Sequence, residues 1–84
     1  MDRKQLVEEL KRLVIEECEK DLRPEDIDAD APLIGSASPL GLDSLDALQI
    51  SLAVKQRYGR RIDGGRETRT ALRSINALAD YIAA

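Results

Sequence analysis

The chain has 84 residues, enough for one small domain, and its only aromatic residues are two tyrosines. It has no histidine and one cysteine, Cys18, which excludes an internal disulfide and argues against a structural zinc site. The formal charge of −3 is unevenly divided, with −6 on residues 1–43 and +3 on residues 44–84. No stretch is long and apolar enough for a membrane span or a signal peptide, so we expect a cytoplasmic protein. We also expect it to be a monomer.

The first predicted element is an amphipathic helix from about Arg3 to Lys20. Its apolar residues recur at helical spacing and form one stripe, namely Leu6, Val7, Leu10, Leu13, Val14 and Cys18. Oppositely charged neighbours occupy the other face, which suits a helix exposed to solvent on that side. Because Cys18 lies on the apolar stripe, we interpret it as a small buried hydrophobe and not as a reactive thiol.

Residues 21–43 contain all three prolines and break the helical pattern, so they predict a loop. A loop this long is unusual and should be functional or packed on itself. Pro24 suits the first position of one helical turn in "RPEDI". We expect the apolar residues of the loop to anchor it to the helices: Leu22, Ile27, Leu33, Ile34, Leu40 and Leu42.

The helical pattern resumes at Ser44 and should end at Gly59, a residue suited to a left-handed helix terminus. We expect the larger apolar residues of this second helix to form its buried stripe, with smaller ones beside them: Leu45, Leu48, Leu52 and Tyr58, then Ala47, Ala53 and Val54. These helices can bury their stripes only against one another, so a helical bundle is predicted.

The C-terminal part predicts a turn-rich link, "GRRIDGGRE", anchored by Ile62, and then a short helix, "ETRTALR". Ser74 is a candidate N-cap for a last helix, "INALADYIAA", whose inward residues are Ile75, Leu78, Ala79 and Ile82. The prediction is therefore an all-α bundle of three main helices and one short helix, in a single domain over residues 1–84.

Ser44, in "GLDSLDALQI", stands where the loop meets the second helix, and three interpretations are open. A catalytic serine needs a neighbouring base, but the chain has no histidine, and Leu45 and Asp46 do not fit the G-x-S-x-G elbow. Ser44 could simply start the helix, because Ser and Asp are favoured there. It could also be an attachment site, since a phosphate esterified at a helix start meets free N–H groups and the positive end of the helix dipole. Another enzyme can activate such a serine, which accounts for the missing histidine.

These residues resemble the acyl carrier proteins, in which a D-S-L tripeptide opens the second helix of a four-helix bundle. "GLDSLDAL" matches that pattern, "DIDADAPL" resembles the first-loop segment of the family, and "RSINALADYI" resembles its last helix. The resemblance implies that Ser44 carries a 4′-phosphopantetheine arm, transferred from coenzyme A by a phosphopantetheinyl transferase. The arm would hold acyl groups as thioesters for enzymes of fatty acid, polyketide or related lipid biosynthesis, and the chain itself would catalyse nothing.

The resemblance also implies roles for residues near Ser44. Four of them are expected on the surface presented to the transferase and to the loading, elongating or acyl-transfer enzymes: Asp43, Leu45, Asp46 and Gln49. A pocket for the acyl chain would be lined by residues such as Leu48, Leu52, Ile62, Leu72 and Ile75, although we favour the alternative that these residues simply form the core. We expect no nucleic acid among the partners, since the domain is acidic and has no aromatic base-stacking surface. We also expect no insertion into membranes.

Two features depart from the family. Where many members are acidic, the second helix and the segments after it carry basic residues: Lys55, Arg57, Arg60, Arg61, Arg66, Arg69 and Arg73. Because electrostatic complementarity sets association rate and partner choice, we hypothesise a dedicated pathway whose enzymes present acidic or apolar docking surfaces. Alternatively, the arginines form a solvated face or pair with acidic residues of the first helix. The approach to the serine, "APLIGSASPLGLDS", is also several residues longer than usual.

Other functions stay open at this stage. A helical interaction domain without an arm is the rival from another class. Peptidyl carriers more often have a Gly-Gly-x-Ser pattern, and D-alanyl carriers have a different residue after D-S, so acyl cargo is favoured over aminoacyl cargo. The start at Met1 and the lack of linker sequence favour a stand-alone carrier.

Overall fold

The computed structural model describes residues 2–35 and 40–83. Within these ranges the elements are, in chain order, α1 (Arg3–Glu17), a 3₁₀ turn (Pro24–Asp26), α2 (Ser44–Tyr58), α3 (Gly64–Ala71) and α4 (Ile75–Ala83). The described residues form four helices and no strand, which confirms the predicted all-α four-helix bundle. None of these helices is both long enough and apolar enough to cross a bilayer.

Helix α1 ends at Glu17, earlier than the predicted boundary near Lys20. The Asp2 side chain caps its start by accepting a hydrogen bond from the Gln5 N–H at 2.8 Å. At the other end Glu19 adopts a left-handed φ of 53°, and the Lys20 N–H donates to the Ile15 carbonyl at 3.0 Å. This is a Schellman-type terminus, which glycine usually provides. The boundary was predicted too late because no glycine marks it.

The core forms where α1 packs on α2 and α4, while α3 packs on α4. Its largest fully buried side chains come from α1, α2 and α4, from the C-cap residue of α3 and from the loop: Leu10, Val14, Leu33, Leu42, Ile50, Val54, Leu72, Ile75 and Leu78. Among the predicted loop anchors, Ile27, Leu33, Leu40 and Leu42 are buried, and Ile34 packs partly buried against the core. Leu22 is exposed, so its predicted anchoring role is wrong.

The buried face of α2 differs from the predicted one. The leucines expected in the core are exposed, by 63% at Leu45, 55% at Leu48 and 52% at Leu52. The core face is made instead by Ala47, Ile50, Ala53 and Val54. Small alanine side chains let two helix axes approach closely, whereas leucines at the same contact would hold them apart. The face that carries the two alanines therefore packs in the core, together with Ile50 and Val54, and the three leucines are left outside it.

Polar contacts join the helices at their ends. The Tyr58 hydroxyl donates to Glu9 Oε1 at 2.9 Å and ties the last turn of α2 to α1. Partial burial and this hydrogen bond raise the pKa of Tyr58 to about 12. Arg3 forms an ion pair with Asp80 at 2.7 Å and so links α1 to α4. The predicted end of α2 is confirmed, since Gly59 has a left-handed φ of 69°.

The position of α3 is set by the Glu67 carboxylate. It accepts hydrogen bonds from the Asp63 N–H and from the Tyr81 hydroxyl, both at 3.0 Å. The first bond closes the N-terminal turn, so α3 begins at Gly64, earlier than the "ETRTALR" segment predicted. The second bond holds α3 against α4. The Ser74 hydroxyl accepts from the Ala77 N–H at 3.0 Å, which confirms Ser74 as the N-cap of α4.

Candidate functional site

The chain approaches α2 through a short backbone pairing within the first loop. The Gly35 N–H donates to the Leu42 carbonyl at 3.0 Å, and the Leu42 N–H donates to the Leu33 carbonyl at 3.4 Å. Gly41, with a left-handed φ of 61°, separates the buried Leu40 and Leu42. This pairing holds the residue before Asp43 in the core. The longer approach to the serine includes residues 36–39, which lie outside the described residues; the distinct loop conformation that its added Gly, Ser and Pro residues suggest stays a prediction.

Asp43 and Asp46 form a reciprocal capping box around the start of α2. The Asp43 carboxylate accepts from the Asp46 N–H at 3.0 Å, and the Asp46 carboxylate accepts from the Asp43 N–H at 3.2 Å. Asp43 is thus the N-cap, and Ser44 is the first residue within the helix. Ser44 is exposed, and no hydrogen bond joins its hydroxyl to any other described residue. The helix start therefore does not need the hydroxyl of Ser44.

Ser44 lies on the edge of an open cleft between α2 and α3, with a volume of about 490 Å³. The other lining residues come from the loop, from α2, from the link and from α3: Ile34, Ala47, Leu48, Ser51, Ile62, Gly65, Thr68 and Arg69. One side of this cleft is apolar, and the side formed by α3 is polar. The cleft opens directly beside the first turn of α2.

The predicted acyl pocket is only partly found. Leu48 and Ile62 line the cleft beside Ser44, and Leu52 lines a smaller adjoining depression of about 200 Å³. Leu72 and Ile75 are 1% and 0% exposed, so their predicted place in the pocket is wrong. Their side chains are used entirely in the core. Sequence reasoning missed Ser51 and Thr68 and did not place Arg69 here, because only the packing of α3 brings its residues next to α2.

The residues expected to meet partner enzymes lie together at the start of α2. Asp43, Leu45 and Gln49 are exposed, and Asp46 is half-buried. All four belong to the N-cap or the first two turns of the helix that bears Ser44. A protein that approached Ser44 would meet an apolar side chain and two carboxylates beside it. The geometry does not test their role in recognition, which stays a prediction.

The basic residues of the C-terminal half are all exposed. Arg61 pairs with Asp63 at 3.4 Å, and Arg60 Nε donates to the Ile82 carbonyl at 3.2 Å. Within residues 2–35 and 40–83, no ion pair joins any of these cations to a carboxylate of α1. The predicted alternative of pairing with the first helix thus finds no support in the described structure, whereas the alternative of a solvated basic face remains.

Cys18 caps the C-terminus of α1 and is half-buried with a free thiol. Burial, together with the negative charge of Asp46, raises its pKa to about 11. The thiol is therefore protonated at neutral pH and a poor nucleophile. The protonated thiol agrees with the interpretation of Cys18 as a small apolar residue and not a reactive one. Its side chain is half-buried, however, and not fully buried as that interpretation expected. The described part of the chain holds no cluster of side chains suited to a metal ion.

Residues 8–82 match the sequence profile of the protein family described as "Phosphopantetheine attachment site". The matched range includes α2, α3 and every residue that lines the cleft beside Ser44. No curated protein gives a significant match to the chain.

Proposed function

Because the chain belongs to the phosphopantetheine-attachment family, we propose that Ser44 is the residue that bears its 4′-phosphopantetheine arm. Members of this family bind the arm covalently and act as carriers of acyl groups, not as catalysts. The proposal rests on the hydroxyl of Ser44, which is exposed at the start of α2 and makes no hydrogen bond to another described residue. The hydroxyls of the other two described serines are hydrogen-bonded. Ser51 donates to the Ala47 carbonyl at 2.9 Å, and Ser74 caps α4.

The surroundings of Ser44 fit such a group. The N-terminus of α2 presents the positive end of a helix dipole, which favours a phosphate at this position. The cleft beside it offers room for a flexible chain along the apolar side chains of Leu48 and Ile62. When bound, the arm supplies a terminal thiol on which an acyl group is held as a thioester. Cys18, protonated at neutral pH, would not compete with that thiol for acyl groups.

Loading of Ser44 would depend on another enzyme. The transfer forms a bond between Ser44 Oγ and the pantetheine-bearing phosphorus of coenzyme A. The bond from that phosphorus to the bridging oxygen of the pyrophosphate breaks, and adenosine 3′,5′-bisphosphate leaves. The chain has no histidine to take the hydroxyl proton, so we propose that a base of the transferase accepts it. The contribution of this chain is to hold the hydroxyl exposed on a rigid helix.

The partners are a phosphopantetheinyl transferase and enzymes that handle acyl groups. We propose that they meet Asp43, Leu45, Asp46 and Gln49, which surround the serine. The exposed leucines of α2 and the basic residues that follow support docking to partners with acidic or apolar surfaces. A dedicated pathway of fatty acid, polyketide or related lipid biosynthesis in the cytoplasm fits this surface better than the general fatty acid synthase.

Intact mass tests the attachment site. The purified chain is incubated with coenzyme A and a broad-specificity phosphopantetheinyl transferase, beside Ser44→Ala and Ser51→Ala variants. We expect the wild type and Ser51→Ala to gain one phosphopantetheinyl mass and Ser44→Ala to gain none. A gain in folded Ser44→Ala would move the site to another residue. No gain in any folded variant would favour the helical interaction domain without an arm.

Exchange of partners tests the dedicated pathway. The loaded chain is offered to the general ketosynthase of the organism beside the housekeeping carrier. Many acyl carrier proteins present carboxylates on the second helix to basic partner enzymes. We expect much slower elongation, because a basic α2 terminus does not complement such a basic docking surface. Equal rates would show that this carrier serves the general synthase.

A further inference from the structure

We propose that Arg69 of α3 positions the arm, because its guanidinium pairs with the phosphodiester formed on Ser44 and directs the arm into the cleft between α2 and α3. This inference rests on the proposed attachment at Ser44. It adds a residue from a different helix to the site and explains why the arm would lie in one direction and not extend freely into solvent.

The first step is the charge around Ser44. Asp43 and Asp46 are held within one turn of the serine by their capping hydrogen bonds. A phosphodiester on Ser44 places a third negative charge at the same helix start. The dipole of α2 supplies only about half of an elementary charge of opposite sign there. A nearby cation would therefore favour the loaded form.

The second step is which cation can reach it. Among the described residues that line the cleft with Ser44, Arg69 is the one basic residue. Lys55 and Arg61 line the smaller adjoining depression, and Arg66, also on α3, lines neither. Within the described part of the chain, no ion pair engages the guanidinium of Arg69. The planar guanidinium presents paired donors that match phosphate oxygens.

The third step is the rigidity of the element that bears Arg69. Glu67 ties α3 both to its own start and to Tyr81 of α4. Ala71 and Leu72, which follow Arg69, are each 1% exposed and fix the end of α3 in the core. Arg69 is thus presented on a clamped helix, while its own side chain is exposed to the cleft. Positioning residues on fixed elements orient a bound group more closely than those on loops.

The test compares Arg69→Gln with Arg66→Gln, the same change at another exposed arginine of α3. Each variant is loaded with coenzyme A and a transferase, and intact mass verifies the product. Amide shifts of α3 are then measured in the apo and loaded forms, and the ³¹P resonance of the phosphodiester is measured in the loaded forms. We expect loading to shift the amides from Gly65 to Arg69 in the wild type and in Arg66→Gln. In Arg69→Gln these amide shifts should be several-fold smaller, and the ³¹P resonance of the loaded variant should differ from that of the loaded wild type.

Two further measurements sharpen the result. Arg69→Lys should restore part of the α3 shifts, because it keeps the charge without the planar fork. Raising the salt concentration to about 1 M should shrink the difference between wild type and Arg69→Gln, because the screening length is then only about 3 Å. Both readouts are independent of any enzyme that acts on the loaded carrier.

The outcomes separate this inference from the proposed function. Loading at Ser44 with equal α3 shifts in the two glutamine variants would overturn the role of Arg69 alone. Shifts that arise only when the thiol carries a carboxylated acyl group would mean that Arg69 recognises the cargo, which also overturns the pairing with the phosphodiester. Failure of every folded variant to gain mass at Ser44 would overturn both proposals.

Discussion

The side chains of Asp43 and Asp46 each accept a hydrogen bond from the backbone N–H of the other residue, at 3.0 and 3.2 Å. The pair satisfies backbone donors that a helix start otherwise leaves without partners. Because Asp43 takes the capping role, the hydroxyl of Ser44 stays free on the first turn of α2. The same two carboxylates are the charges that we expect the transferase to meet. We therefore expect stability and recognition to depend on the same residues, and substitutions can separate the two.

The first prediction concerns Asp43→Ala and Asp43→Asn. Alanine removes the cap, so we expect the free energy of unfolding to fall by about 1 kcal/mol. Asparagine caps a helix as well as aspartate, so Asp43→Asn should change it by only a few tenths of a kcal/mol. Urea denaturation measures both values.

The same two variants test recognition by the transferase. Both lack the carboxylate, so both should be loaded more slowly than the wild type when the chains are folded. Loading of Asp43→Asn at the wild-type rate would show that the charge of Asp43 has no part in recognition. Equal stability of Asp43→Ala and the wild type would show that the cap contributes little.

The second prediction contrasts two leucines. Leu78 is fully buried in α4, so Leu78→Ala should lose roughly 2–5 kcal/mol of stability through lost contacts and a cavity. Leu48 is 55% exposed, so Leu48→Ala should change stability by no more than about 0.5 kcal/mol. Chemical denaturation compares the two. Leu48→Ala should instead slow acyl exchange with partner enzymes, and a stability loss as large as that of Leu78→Ala would mean that Leu48 belongs to the core.

The third prediction concerns the reactivity of Cys18. Its pKa is raised from 9.0 to about 11, because the folded chain disfavours the thiolate. In the folded apo chain, alkylation by iodoacetamide should thus be slow at neutral pH and should accelerate as the pH approaches 11. A chain unfolded in urea is the control and should react at the rate of an ordinary cysteine.

The raised pKa of Cys18 also makes the stability of the fold depend on pH. Because the folded pKa is higher than the unfolded one, the favourable contribution of the protonated thiol is present below pH 9 and is lost as the pH rises toward 11. Cys18→Ala should remove this part of the alkaline loss of stability. Fast alkylation of the folded chain at pH 7 would contradict the raised pKa.

The fourth prediction concerns Glu19, which has a left-handed φ of 53°. That conformation costs an L-residue about 1–2 kcal/mol, whereas glycine adopts it freely but loses about 0.5–1 kcal/mol of chain entropy on folding. Glu19→Gly should thus raise the free energy of unfolding by roughly 0.5 kcal/mol. Glu8→Gly, an exposed change inside α1, is the matched control and should lower it by about 1 kcal/mol. Destabilisation by both variants to the same extent would argue against the left-handed conformation at Glu19.

Local signals in the sequence were sufficient to predict most of the helix boundaries. Ser74 accepts the predicted capping hydrogen bond, and Gly59 ends α2 in the predicted left-handed conformation. These features depend on residues within a few positions of one another, so the local sequence specifies them. The predicted end of α1 was wrong because a glutamate occupies the position where glycine is the usual signal.

The sequence also identified the candidate attachment residue. An aspartate, a serine and a leucine at the start of a helix form a local motif that resembles that of the acyl carrier proteins, and this resemblance implied attachment as the role of the serine. The position of Ser44 at the first turn of α2 agrees with that reading. The local sequence does not predict which residues share the cleft with Ser44, since most of them are distant from it in the chain.

Only the tertiary structure decided which face of α2 is buried and what lies opposite Ser44. At 3.6 residues per turn, Leu45, Leu48 and Leu52 fall on one face of α2, and the set of Ala47, Ile50, Ala53 and Val54 falls nearly opposite. Both faces are apolar, so periodicity cannot choose between them. The close approach of neighbouring helices favours the face with the two alanines for the core and leaves the three leucines exposed. In the same way, the packing of α3 on α4 brings Arg69 to the cleft of Ser44, a long-range relationship that no local pattern contains.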